Sequence, residues 1–167
     1  MTVDVKHKKL LDVDAYVEGG GPSEQEAAMK HAGNLMDEGY QVVKFSGDGR
    51  FDTNDMFDFW DRYRVKCAIS PRANAKIRLT RSERRKHEIR MFRRWRYRKW
   101  RRLRGYGDRL AVEAENSAVK REFGESLVSK RGDCMVAEAV QRFWAYDLLK
   151  SYGAGETETL EIPNLQP

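Results

Sequence analysis

Residues 40–69, YQVVKFSGDGRFDTNDMFDFWDRYRVKCAI, decide the fold class. Tyr40–Ser46 carries Val42, Val43 and Phe45 and predicts a short strand. Thr53 or Asn54 can cap the helix that follows, whose stripe is Met56, Phe57, Trp60 and Tyr63. Val65–Ile69 predicts the next strand. A strand, a helix and a strand in this order are the unit from which α/β folds are built. Working outward, Thr2–Val5 and Leu10–Val17 predict two short strands, with Lys6–Lys9 as the hairpin turn between them. Ser23 and Glu26 form a capping box for a helix with Ala28, Ala32, Leu35 and Met36 on one face, and Gly39 ends it. Beyond Ile69, Pro71 opens an irregular stretch to Thr80, and Arg81–Arg104 predicts one basic helix. Gly105-Tyr106-Gly107 interrupts it. Asp108–Glu122 and Asp133–Tyr152 predict two more helices, the last with Val136, Val140, Phe143 and Trp144 on one side as core. The order is β-β-α-β-α-β followed by three helices, an α/β or mixed architecture in one domain over residues 1–152, with 153–167 as a loose tail.

The chain has 167 residues and a net charge of +6, and that charge is not spread evenly. Of the 24 residues from Arg81 to Arg104, 13 are Lys or Arg, and only Glu83 and Glu88 offset them. Without this block the chain would be acidic. A solvated structural helix gains nothing from thirteen like charges, so the block calls for a polyanion. Phe92, Trp95, Tyr97 and Trp100 are interleaved with the cations. Some of these rings must anchor the segment, and others can stack on bases or pack on sugars. A non-specific, salt-sensitive phosphate-tracking surface follows, with Arg93, Arg94, Arg96, Arg98, Lys99, Arg101 and Lys- or Arg-rich neighbours such as Arg102 as contacts. A basic amphipathic helix lying on an anionic membrane surface is the alternative. No run is long enough to span a membrane, and Met1–Leu11 has no apolar core of a secretory signal. Cys67 and Cys134 form neither a ligand cluster nor a disulfide framework, which points to a reducing cytoplasm. His7, His31 and His87 do not cluster in the sequence, and none is read as a metal ligand.

Arg109, Glu113 and Lys120 stand at i, i+4 and i+11, so a helix from Asp108 points all three the same way. A carboxylate flanked by two cations suits a divalent metal with phosphates on either side. Asp48 follows the Val-rich strand in Gly47-Asp48-Gly49; as a plain Asp-Gly pair it is a turn residue, and its place at a strand end raises it.

Tyr106-x2-Arg109-x3-Glu113-x6-Lys120 resembles the Y-x2-R-x3-E-x6-K signature of DDE-type insertion-sequence transposases. Ser117–Glu125, SAVKREFGE, is similar to a segment common in bacterial and archaeal members, and Gly47–Asp52, GDGRFD, to the strand end that bears their second catalytic Asp. The resemblance runs from about Val3 to about Tyr152. It implies an RNase H-like mixed sheet with flanking helices, in which residues 71–105 are a basic insertion. It implies Asp48 and Glu113 as catalytic residues that hold Mg²⁺ or Mn²⁺ in a two-metal phosphoryl transfer. It implies Tyr106, Arg109 and Lys120 as contacts to DNA, and DNA transposition as the process.

Two features depart from the pattern. The first catalytic Asp belongs on a first, central strand, and residues 3–11 instead resemble the family's second strand turning into its third. The chain therefore reads as the C-terminal part of such a protein, without that strand and without the DNA-end-binding region. Loss of a central strand leaves two ladder edges facing a gap. A homodimer or a complementing N-terminal transposase fragment would fill it. Asp4, Asp12 and Asp14 are weaker candidates for the absent carboxylate. Leu110 and Asn116 stand where a Trp and an aromatic residue are usual, and Asn116 is expected on the packing face with Val112 and Val119. A catalytic region, a non-catalytic DNA-binding remnant and an unrelated RNA- or DNA-binding module are the three functions this sequence allows.

Overall fold

A computed structural model describes residues 1–153; the tail expected at 153–167 lies, apart from Gly153, outside the described residues. The strands are β1 (Thr2–Asp4), β2 (Lys9–Asp12), β3 (Lys44–Gly47) and β4 (Lys66–Ile69). The helices are α1 (Glu24–Asp37), α2 (Asn54–Arg62), α3 (Glu83–Arg104), α4 (Leu110–Phe123) and α5 (Gly132–Gly153). Short 3-10 turns at Gly49–Phe51, Ile77–Leu79 and Tyr106–Arg109 complete a mixed α/β architecture.

Residues 40–69 fold as a parallel crossover. β3 and β4 pair in parallel from Lys44↔Lys66 to Gly47↔Ile69, with α2 between them in the chain. Strand alternation sends Phe45, Cys67 and Ile69 to one face, where they meet Ala32 of α1 and Met56, Phe57 and Trp60 of α2. Phe45 stacks on Trp60 at 4.8 Å. Ala68 faces the other way and packs on Trp100 and Tyr106. Both faces of a parallel pair are thus covered by helices, as such pairs require. The strand expected at Tyr40–Ser46 begins later, at Lys44, and Val43 is exposed.

β1 and β2 form a separate antiparallel hairpin. Leu10 is its buried residue, and its N–H donates to Asp147 Oδ1 of α5 at 2.8 Å. On the opposite side Thr2 Oγ1 bonds His31 Nδ1 of α1 at 3.0 Å. The strand expected at Leu10–Val17 stops at Asp12. The hairpin and the parallel pair are not joined by ladder bonds, so among the described residues the strands make two two-stranded sheets rather than a single sheet.

α1 starts as its sequence dictates. Ser23 accepts from the Glu26 N–H, and Glu26 accepts from the Ser23 N–H. The basic segment does not run as one helix. At Arg96 the backbone takes φ 56 and ψ 170, and α3 folds back on itself there. Glu88 consequently accepts from Trp100 Nε1 at 3.2 Å and from Arg104 Nε at 3.1 Å. In a continuous helix, residues 88 and 104 would stand about 24 Å apart. A non-Gly residue in this region of φ/ψ space costs about 1–3 kcal/mol. Burying a Trp of about 150–250 Å² at about 25 cal/mol per Å² contributes about 4–6 kcal/mol, so the break wins.

The core expected along α5 does not form: Val136, Val140 and Phe143 are only half-buried and Trp144 is 43% exposed, and Tyr63 of the α2 stripe is 47% exposed. Tyr63 is the residue after α2, where the helical stripe no longer applies. α5 packs chiefly on α4 and β2, too little cover to bury any of its residues fully. Asn116 is exposed as well; Glu115 takes the buried position on α4 and pairs with Lys150 Nζ at 2.6 Å.

The link from α4 to α5 is stapled by one carboxylate. Glu138 accepts from the N–H of Val128 at 3.0 Å and of Ser129 at 2.8 Å, and meets Arg142 Nη2 at 2.5 Å. The backbone donors at Val128 and Ser129, followed by Arg142, hold its pKa down to about 2, from an ordinary 4.5. A depressed pKa means that the charged form is favoured by folding. The contribution is therefore complete above about pH 4.5 and is lost as pH falls toward 2. Amide shifts of Val128 and Ser129 followed by NMR are expected to titrate in that acid range. In Glu138→Gln the titration should vanish; its persistence would assign it to another group.

Candidate functional site

Asp48 lies just past the end of β3, at the start of the 3-10 turn, and its Oδ1 accepts from the Arg50 N–H at 2.8 Å. The loop it belongs to is fastened from below. Asp52 is buried and receives Arg85 Nε at 2.7 Å, Arg85 Nη2 at 3.0 Å and the Arg72 N–H at 2.8 Å. Arg72 returns across the loop, donating to the carbonyls of Gly49 at 2.7 Å and Arg50 at 3.0 Å. Both carboxylate oxygens of Asp52 are thereby used to fix a loop whose half-exposed carboxylate is Asp48.

The second half of the site comes from the turn Tyr106–Arg109 and the first turn of α4. Gly105 closes α3 with φ 59, and a Cβ there would stand 2.6 Å from Lys44 Nζ. Lys44 instead donates to the Gly105 carbonyl at 2.8 Å and to Asp108 Oδ2 at 2.6 Å, which docks the turn on β3. Tyr106 is buried against Trp100 at 5.0 Å between ring centres, and burial raises its phenol pKa. Arg109 sits 5.9 Å from the Tyr106 ring centre. Its Nη2 is 2.6 Å from Glu113 Oε1 and 4.0 Å from Asp48 Oδ2.

The fold thus brings Asp48 to Arg109, beside Tyr106 and Glu113, from the far side of α2 and α3 in the chain. Lys120 is exposed on α4, about 10 Å along the axis from Glu113, and does not join them. Arg93, Arg94, Arg96, Arg98, Lys99, Arg101 and Arg102 are all exposed around the fold-back of α3. That turn gathers into one protrusion the charges that a straight helix would have spread around its circumference.

The guanidinium of Arg109 stands between a half-exposed carboxylate, Asp48, and an exposed one, Glu113, and occupies the place a cation would take there. Mg²⁺ takes one or two carboxylates and keeps water or phosphate oxygens on its other positions. Asp48 and Glu113 could supply two such carboxylates only if Arg109 moved aside; among the described residues, Arg109 pairs with these two carboxylates and no third.

The histidine that sequence reasoning passed over has a defined place. His31 is buried on α1, and its Nε2 lies 2.9 Å from Asp14 Oδ2 and 3.5 Å from Asp12 Oδ2. These three are the group, among the described residues, whose donor atoms all fall within 4.8 Å, and neither Asp48 nor Glu113 belongs to it. With Thr2 on Nδ1 and Asp14 on Nε2, both ring nitrogens are engaged, and the imidazole ties the hairpin to α1. The signal was available: Asp12 and Asp14 alternate toward one side, and His31 stands beside Ala32 on the apolar face of α1.

No family model, curated protein or solved structure matches this chain. Among the described residues, no helix is long and apolar enough to cross a membrane.

Proposed function

We propose that the chain binds DNA through the basic protrusion of α3 and that Asp48 and Glu113 belong to a metal-dependent phosphoryl-transfer site of the DDE-transposase type. The observation that carries this reading is the meeting of Asp48 and Glu113 on Arg109, beside Tyr106. Those are the residues that the Tyr106–Lys120 spacing and the Gly47–Asp52 strand end single out. Mg²⁺ or Mn²⁺ is the cofactor proposed. When bound, such an ion activates the attacking oxygen and stabilises the leaving one. Arg109 and Tyr106 would then position the phosphate, and the protrusion would hold the flanking duplex.

The split strand layer supports a partial RNase H-like domain. Val43 and Gly47 direct their carbonyls to β4, so Lys44 and Ser46 turn their backbone groups to the opposite edge of β3, where no further strand pairs among the described residues. A strand from a complementing N-terminal transposase fragment, or from a second copy in a homodimer, is the proposed partner for that edge. A second reading, a non-catalytic DNA-binding remnant, is favoured by the two-carboxylate count at Arg109.

The test is a DNA nicking and binding assay with Mg²⁺ or Mn²⁺, with and without a peptide or fragment supplying an Asp-bearing strand. Binding is expected to weaken about 10³-fold between 50 and 200 mM salt, as about six or more phosphate contacts require. Nicking is expected to fall at least about 100-fold in Asp48→Asn and in Glu113→Gln. Nicking that survives both substitutions would sink the proposed site. Binding without nicking under every condition would leave the remnant reading.

A further inference from the structure

The face of β3–β4 that packs on α3 holds a second feature, away from Asp48. A cavity of about 380 Å³ opens at the start of the two strands, walled by Lys44, Lys66, Arg84, Glu88, Arg102 and Arg104. Lys44 precedes Asp48 by four residues, roughly 13 Å along an extended chain, so the two places are distinct. Cys67 borders the cavity from a strand position whose side chain belongs to the α1–α2 face, and burial pushes its thiol up to about 12, so it brings no charge.

The cavity's charges do not cancel. Arg84 is held by Asp61 at 2.6 Å and by the Val65 carbonyl at 2.9 Å. Arg104 is paired with Glu88, and Lys44 with Asp108 at 2.6 Å. These three cations are fixed in the wall by their own partners. Lys66 and Arg102 have no side-chain partner among the described residues, and both reach the same opening. Two unmatched positive charges at the mouth of a cationic basin attract a dianion. The guanidinium of Arg102 offers a planar fork to two oxygens of an anion, and Lys66 offers a point charge to a third. Gly105 completes the rim, and a side chain there would displace Lys44.

We propose that this cavity is a binding site for a phosphate monoester, held by Lys66 and Arg102 against the wall of Lys44, Arg84 and Arg104. A monoester carries close to two charges at neutral pH and has one ester arm, so it can enter a half-open basin end-on. A diester within a strand carries one charge and has two arms that must both leave. The volume admits a phosphate with its sugar. Two sources present this chemistry: a free mononucleotide, or the phosphorylated end of a nucleic-acid strand. The site uses none of Asp48, Arg109 or Glu113 and stands apart from the reading of those residues.

Calorimetry and fluorescence anisotropy at fixed ionic strength decide it, with four probes: deoxyadenosine monophosphate, adenosine, and one single-stranded oligonucleotide with a 5′-phosphate or a 5′-hydroxyl. The phosphorylated member of at least one pair is expected to bind about tenfold or more tighter than its unphosphorylated counterpart. Preference in the mononucleotide pair alone identifies a free ligand; preference in the oligonucleotide pair identifies a strand end. Lys66→Ala and the double variant Lys66→Ala/Arg102→Ala should remove the preference, and both sites are exposed, so folding is checked by an unchanged thermal midpoint. Equal affinity within both pairs overturns the proposal, as does a preference that survives the double variant. Oligonucleotide binding without discrimination would sink this site and leave DNA binding by the protrusion standing.

Discussion

Asp52→Ala is expected to destabilise the protein by about 3–5 kcal/mol, the range for removing one partner of a buried ion pair. Asp52 is buried, and Arg85 is 14% exposed at its side chain, so the guanidinium cannot recover its hydration by a small movement. The substitution also strands the Arg72 N–H, which donates to Asp52 at 2.8 Å. For a chain of this size the thermal midpoint should fall by about 6–20 °C. Asp52→Asn keeps an acceptor for one of the donors and should lose less. A loss below about 1 kcal/mol would show the pair to behave as a solvated surface pair, and the buried clamp would be wrong. The consequence reaches the site, because the same residue fixes the loop of Asp48 to α3. Where the folded fraction remains high, Asp52→Ala should still weaken whatever chemistry Asp48 supports.

The features legible in the sequence are those set by local rules. Ser23 and Glu26 cap α1 as their spacing requires, and the stripe Met56, Phe57, Trp60 buries on β3–β4. Asp48 was recognisable because a strand ended before it. What the sequence hid is set by distant partners. No Gly or Pro marks Arg96, so nothing local predicts a break there; the bond of Trp100 to Glu88 across the two arms and the packing of Trp100 on Ala68 of β4 impose it. The same applies to Glu115. Helical spacing put Asn116 inward, but Lys150 on α5, 35 residues away, supplies a half-buried cation that pairs with Glu115 and holds it in instead. The strands are short for a related reason. Val42 and Val43 have high strand propensity, yet propensity needs a neighbouring ladder, and β4 reaches only to Lys66 beside them. At the site, the spacing of Arg109 and Glu113 was readable as one face of a helix. That Arg109 also reaches Asp48 depends on Lys44 docking the Tyr106 turn on β3, a tertiary contact that no spacing encodes.

Trp100→Ala is expected to cost about 3–5 kcal/mol and to open the fold-back of α3. Trp100 is fully buried, with Phe92 at 5.2 Å and Tyr106 at 5.0 Å between ring centres. Its loss leaves a cavity over Ala68, since the strand beneath cannot move up without breaking its register with β3. The offset that keeps Arg96 in its strained conformation would then be gone, and continuing the helix through residue 96 becomes the lower-energy path. Trp100→Phe separates the ring from its N–H: packing is largely kept, and the bond to Glu88 is lost, for about 1–3 kcal/mol. Spin labels placed near residues 88 and 104 should report a short separation in the parent protein and in Trp100→Phe, and one approaching about 24 Å in Trp100→Ala. An unchanged separation in Trp100→Ala would mean that Arg104 and Glu88 alone hold the arms together. Because the fold-back also carries the exposed cations from Arg93 to Arg102, opening it should spread them along a straight helix. DNA affinity should then fall with little change in the number of cations, which separates the arrangement of the charge from its amount.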